Sequence, residues 1–83
     1  MRALVTPAQL EREGREMGHC VGGYAYAVEQ GQSIILSLSV AGHRSTAEIS
    51  PAGQVMQHYG EGNSTPHRLC QIVLNRFVER RIG

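Results

Sequence analysis

Hydrophobic residues recur along this chain with two different periods, and each change of period marks a boundary between elements. Between Thr6 and Gly18, Leu10, Gly14 and Met17 fall on one helical stripe, while Glu11, Arg12, Glu13, Arg15 and Glu16 are expected to face solvent. The helix start is legible in Thr6-Pro7-Ala8-Gln9. Threonine caps, proline suits the first helical position, and Gln9 completes a capping box. Gly18 is a natural stop. A second helix is expected from Cys20 or Val21 to Glu29, with Val21, Tyr24, Ala25 and Val28 inward and Gly31 just past its end.

From Ser33 the period shortens to two. Ile34, Leu36, Leu38 and Val40 point one way and Ser33, Ser37 and Ser39 the other, with Ile35 as an exception. Ala41-Gly42-His43 makes a tight connection to a second strand, Arg44 to Ser50, with Ser45, Ala47 and Ile49 on one face and Thr46 and Glu48 on the other. Ser50-Pro51-Ala52-Gly53 suits a type I turn before a third strand from Gln54 to Tyr59. After a loop over Gly60–Ser64, Thr65 is expected to cap a last helix that begins at Pro66 and runs to about Arg81. Leu69, Cys70, Val73, Leu74, Phe77 and Val78 form its apolar face, and Arg68, Arg76 and Arg80 stay wet. The expected fold is α+β, a three-stranded antiparallel meander packed with three helices in the order ααβββα.

Composition narrows the function classes. The 83 residues make one domain, 1–83, and no apolar run approaches a membrane span. The first residues lack the apolar core of a signal peptide, and two cysteines without an export signal point to a reducing cytoplasm with both thiols free. Eight arginines oppose seven glutamates, with no lysine or aspartate, which is too balanced for a general nucleic-acid binder. Residues 1–50 carry five glutamates and four arginines, net −1; residues 51–83 carry two and four, net +2. No sequence-specific DNA binding and no membrane partner are expected.

The densest chemistry is His19-Cys20-Val21-Gly22-Gly23-Tyr24. A thiol at a helix start beside an imidazole is a candidate nucleophile, with His19 or His58 as its base. Free cysteine is also among the most buried residue types, and a packing role for Cys20 is the stronger reading. Gly22-Gly23 suits close approach of helix and sheet, and Gly60-Glu61-Gly62 suits a turn better than a phosphate cradle. His19, Cys20, His43, His58, His67 and Cys70 show none of the usual metal-ligand spacings, so no metal and no cofactor are expected. Glu48 shares its strand face with Thr46, and Gln57 sits opposite on the next strand. A covered Glu48 needs hydrogen-bond partners, for which Tyr24, His19 and Gln57 are suited, in a polar network fixing a helix on the sheet. Cys70 is expected to be buried; were it exposed, oxidation could link two otherwise monomeric chains through it.

Glu13-Gly14, the His19–Tyr24 hexapeptide, Thr46-Ala47-Glu48-Ile49, and Val55-Met56-Gln57 followed by Gly60 and Asn63 resemble the C-terminal region of PcfJ-like proteins of plasmids, phages and other mobile elements. The resemblance covers roughly residues 10 to 66 and implies a signature of His19, Cys20, Gly22, Gly23, Tyr24, Thr46, Glu48, Gln57, Gly60 and Asn63. The chain departs from that pattern in lacking the long N-terminal region of most members, and in carrying Ser37 and Ser39 where family strands often have arginine. In size and layout it is also similar to small phage anti-CRISPR proteins. That likeness implies a non-enzymatic inhibitor of a type I Cascade complex, with type I-C the subtype suggested, that blocks access to target DNA in the host cytoplasm. Its expected contact face is Glu11, Glu13 and Glu16 of the first helix, with Glu29. The alternatives are an enzyme or ligand-binding domain centred on His19, Cys20, Glu48 and Gln57, and an accessory protein of conjugation or phage assembly.

Overall fold

The computed structural model describes residues 1–18 and 25–82. Their elements are β1 (Arg2–Leu4), α1 (Pro7–Met17), α2 (Ala25–Glu29), β2 (Ile34–Val40), β3 (His43–Ile49), β4 (Val55–Gly60), a 3-10 turn (Glu61–Asn63) and α3 (Arg68–Ile82). The strands form one antiparallel sheet in the order β1-β2-β3-β4. The class is α+β as expected, but the sheet has four strands rather than three and the order is βααβββα rather than ααβββα. The start of the expected second helix, residues 20–24, lies outside the described residues; Ala25–Glu29 is helical.

The extra strand, β1, pairs with β2 through Arg2↔Ser37, Ala3↔Leu36 and Leu4↔Ile35. Three residues are too few to display a period, so no alternation betrays it. Burial of Leu4 holds it in place. Leu4 packs with Leu10 of α1, Ile35 of β2 and Val28 of α2 in an apolar cluster on one side of the sheet. On the other side, α3 covers Leu36, Leu38, Ala47 and Ile49 with Cys70 and Leu74, flanked by Val73, Phe77 and Val78. Ile35 is therefore no exception to the alternation of β2. The strand has a helix layer on each face, so its odd positions also find apolar neighbours.

Local chemistry fixes the ends of these elements. Thr6 Oγ1 accepts from Gln9 N–H at 3.2 Å, and the Gln9 side chain accepts from Thr6 N–H at 3.1 Å, closing the capping box. Gly18 takes the left-handed conformation (φ 70°) and donates its N–H to Gly14 O, ending α1. Ala41 and Gly42 both have positive φ, as a two-residue hairpin between β2 and β3 requires. The Ser50–Gly53 turn closes through Gly53 N–H to Ser50 O at 2.9 Å.

The last helix differs from expectation at its start. It begins at Arg68, not Pro66, and the capping group is His67 rather than Thr65. The backbone before proline does not by itself forbid a cap, since Thr6 caps α1 in extended backbone ahead of Pro7; here the chain stays non-helical through His67. Two residues beyond Thr65, His67 Nδ1 accepts from Leu69 N–H at 3.1 Å and His67 O accepts from Gln71 N–H. Leu69, expected on the apolar face, is exposed.

Leu4 and Val5 are adjacent but opposite in burial, at 1% and 67% exposure. Leu4→Ala should cost about 2–5 kcal/mol, whereas Val5→Ala should stay within about 0.5 kcal/mol. Urea denaturation of the two variants measures both, and equal costs would remove β1 from the sheet.

Candidate functional site

The polar groups of the chain gather on the α1 side of the sheet. In β3, Arg44, Thr46 and Glu48 share that face, and across the ladder Ser37 faces Thr46, Glu48 faces Gln57, and Ser39 faces Arg44. At their centre is Glu13 of α1, 2% exposed. Its Oε1 accepts from Ser37 Oγ at 3.0 Å and Arg44 Nη2 at 2.9 Å, and its Oε2 accepts from Thr46 Oγ1 at 2.6 Å. A buried carboxylate is tolerated only with such company, and two hydroxyls and a guanidinium supply it.

Arg44 reaches further. Its Nη1 donates to Glu16 Oε1 at 2.9 Å, while Arg12 Nε donates to Glu16 Oε2 at 2.9 Å. Arg12 first, and then Arg44, hold the Glu16 carboxyl below the usual carboxylate range, and Glu16 in turn raises Arg12. The Arg12–Glu16 pair is exposed and contributes little; the Arg44–Glu13 pair is shielded and fixes how α1 sits on β2 and β3.

These positions correct the sequence reading of α1. Glu13 was expected in solvent with Glu11 and Glu16, yet it lies beneath the helix. Its spacing carried the signal, because Leu10, Glu13, Gly14 and Met17 follow i, i+3, i+4, i+7, the buried stripe itself. Of the proposed contact acids, Glu11 and Glu29 are exposed, Glu16 is held by two arginines, and Glu13 is interior. This network about Glu13 is a different one from that expected of Glu48 with Tyr24, His19 and Gln57, which includes positions outside the described residues.

Glu48 is half-buried and its Oε2 accepts from Ser33 Oγ at 2.7 Å, a partner not anticipated. Gln57 lies across from it in register, on the exposed edge strand. Gly60 pairs with Ser45 and donates its N–H to Ser64 O at 2.8 Å. A methyl group at Gly60 would stand 2.8 Å from Ser64 Oγ, which would have to turn away to admit it. Asn63 ends the 3-10 turn with φ 61°. That turn lies against the end of α1, where a Cβ on Gly18 would be 3.5 Å from Gly62. The remaining signature positions, His19, Cys20, Gly22, Gly23 and Tyr24, lie outside the described residues, so their expected contacts with Glu48 do too.

The other histidines occupy the opposite face. His58 Nε2 is 2.8 Å from Ser45 Oγ, and the His43 and His67 rings stack at 3.6 Å with an 8° interplanar angle. Both His58 and Ser45 belong to the α3 side, so the sheet separates His58 from Glu48 and Gln57. Cys70 is fully buried and its Sγ donates to His43 O at 3.4 Å; the exposure needed for a Cys70-linked dimer is not met in the folded chain. Among the described residues no three His, Cys or Glu side chains converge as metal ligands would. No helix among them is long and apolar enough to cross a membrane.

The network and the histidine each make a measurable prediction. Arg44→Ala should destabilise the chain by about 3 kcal/mol, since it strips the cation from a buried carboxylate, while Arg12→Ala should cost less than about 1 kcal/mol. Denaturant titration of both variants checks the difference. Burial pushes the His58 imidazole below its ordinary range. The unfolded chain then takes up a proton at a higher pH than the folded one, so stability is present at neutral pH and falls as pH drops through about 6.5 and below. Melting temperature measured from pH 8 to 5 should decline on the acid side, and His58→Gln should flatten that decline.

No curated protein and no solved structure matches the chain. The model of the PcfJ-like protein family matches residues 1–73. That span includes the buried Glu13, its donors Ser37, Arg44 and Thr46, and the Glu48–Gln57 ladder, so the chain belongs to the PcfJ-like protein family.

Proposed function

We infer that this PcfJ-like domain is a non-catalytic binding module of a mobile element, and that its target is the host's CRISPR surveillance machinery. In this reading the protein acts in the host cytoplasm as a monomer, docks on a type I Cascade complex, with type I-C the first candidate, and obstructs the complex's access to target DNA. The observation that carries the binding-module reading is the commitment of two polar signature side chains to internal hydrogen bonds. Thr46 is spent on Glu13 and Glu48 is engaged by Ser33. Side chains committed in this way hold a rigid scaffold, and rigidity reduces the ordering cost of forming an interface. The choice of target rests on the likeness in size and expected layout to small anti-CRISPR proteins.

The enzyme reading keeps one specific support, the cross-strand placement of Glu48 and Gln57 on the side from which α1 leads into His19 and Cys20. Two substitutions separate the readings. Cys20→Ser and Glu48→Gln proteins that retain their far-UV dichroism should co-purify with a type I Cascade complex and inhibit its DNA binding within about threefold of the unsubstituted chain, since changes away from an interface usually have small effects. Loss of inhibition in both folded variants would instead assign the site a chemical role, and failure of the unsubstituted protein to bind the complex would remove it as the target.

A further inference from the structure

Three arginines of α3, Arg68, Arg76 and Arg80, are exposed on the helix half turned away from the sheet. At 1.5 Å per residue they stand about 12 and 6 Å apart along the axis. Leu69 and Ile72 lie among them at 39% and 37% exposure. The core is served by the other half of the helix, through Cys70, Leu74, Val73, Phe77 and Val78. Nothing in the packing of the domain requires an aliphatic pair within an arginine-rich strip.

Fold stability does not account for the charges either. Arg68 is the first residue of α3, where the helix dipole disfavours a cation, and no acidic side chain occupies that first turn. Arg76 and Arg80 are like charges at i, i+4, a repulsive spacing that Glu79, three residues after Arg76, offsets in part. Only Arg80, close to the helix end, suits the dipole. Elsewhere in the chain Arg12 and Arg44 are tied to Glu16 and Glu13, while Arg2 and Arg15 are exposed and enter no ion pair among the described residues. Among the described residues no ion pair engages Arg68, Arg76 or Arg80, and Glu79, the one carboxylate of α3, is in none.

We propose that this strip of α3 is the docking face, and that it fits a protein surface that is acidic around an apolar centre. Arginine is enriched at protein interfaces, and a desolvated apolar centre within a polar rim is their usual anatomy. A nucleic-acid backbone accounts for the arginines but leaves Leu69 and Ile72 against phosphate and water. An acidic protein surface accounts for both. The inference rests on the binding-module reading and names the face and the chemistry of its partner; the acids of α1 are not the primary contact.

The test has one arm on the free chain and one on the complex. On the free chain, Arg68→Glu supplies an acid to the helix start and should raise the melting temperature by a few degrees. Arg76→Glu gains a pairing with Arg80 at i+4 and gives up one with Glu79 at i+3, so it should leave the melting temperature within about two degrees. An unchanged or lowered value in Arg68→Glu overturns the claim that this arginine is retained against stability. With purified type I Cascade as probe, the R68E/R76E double variant should bind at least tenfold more weakly, while E11R/E29R binds within twofold of the unsubstituted chain. Equal binding by R68E/R76E overturns the proposed face, as does selective loss in E11R/E29R. If the unsubstituted chain does not bind Cascade, that target falls and the melting result alone decides for or against the α3 strip. Binding of a bare DNA duplex with a log–log salt slope of about −2.7, as three phosphate contacts would give, lost in R68E/R76E, would make the partner a nucleic acid and overturn the protein assignment.

Discussion

A carboxylate buried between a helix and a sheet imposes strict conditions on everything near it, and Glu13 imposes them here. Its two oxygens need donors from the strands below, so Ser37, Thr46 and Arg44 must reach it together. That requirement fixes the rotation of α1 about its axis and its position along β2 and β3. Apolar contacts through Leu10 and Met17 could tolerate a small slip of the helix; three directional hydrogen bonds to one carboxylate could not.

The sheet thereby divides two kinds of material. Its α1 side holds the hydrogen-bonded glutamates and hydroxyls, and its α3 side holds the larger aliphatic cluster with His43, His58 and His67 at its margin. Arg12 and Arg44, on the α1 side, serve intramolecular pairing, and the exposed arginines of α3 have no such duty among the described residues. A domain built this way presents two chemically different exteriors.

Much of this was readable from residue order, for identifiable reasons. The capping box at Thr6 and Gln9, the Gly18 stop and the three meander strands each depend on contacts within a few residues, and each is present. What escaped depends on distant partners. β1 has only Leu4 to announce it, and Leu4 matters only because Leu10, Ile35 and Val28 meet it. Glu13 sat on the buried stripe, but a charged residue there is unreadable until Ser37, Arg44 and Thr46 are known to lie opposite. Thr65 looked like a better cap than His67 because Thr65-Pro66 repeats the Thr6-Pro7 pattern, and nothing local shows that the helix begins only at Arg68. For the signature, the spacing of Glu48 and Gln57 was legible as a cross-strand pair, while the Ser33 hydroxyl that engages Glu48 arrives from the end of a different connection.

β2 supplies side chains to both apolar clusters, Leu36 and Leu38 to one and Ile35 to the other, along a single stretch of backbone. Neither cluster can melt while leaving the other intact, because loss of either helix layer bares half of the same strand to water. The two small interiors are therefore mechanically one. For a chain of this length the result is cooperativity: unfolding proceeds as an all-or-none event rather than layer by layer.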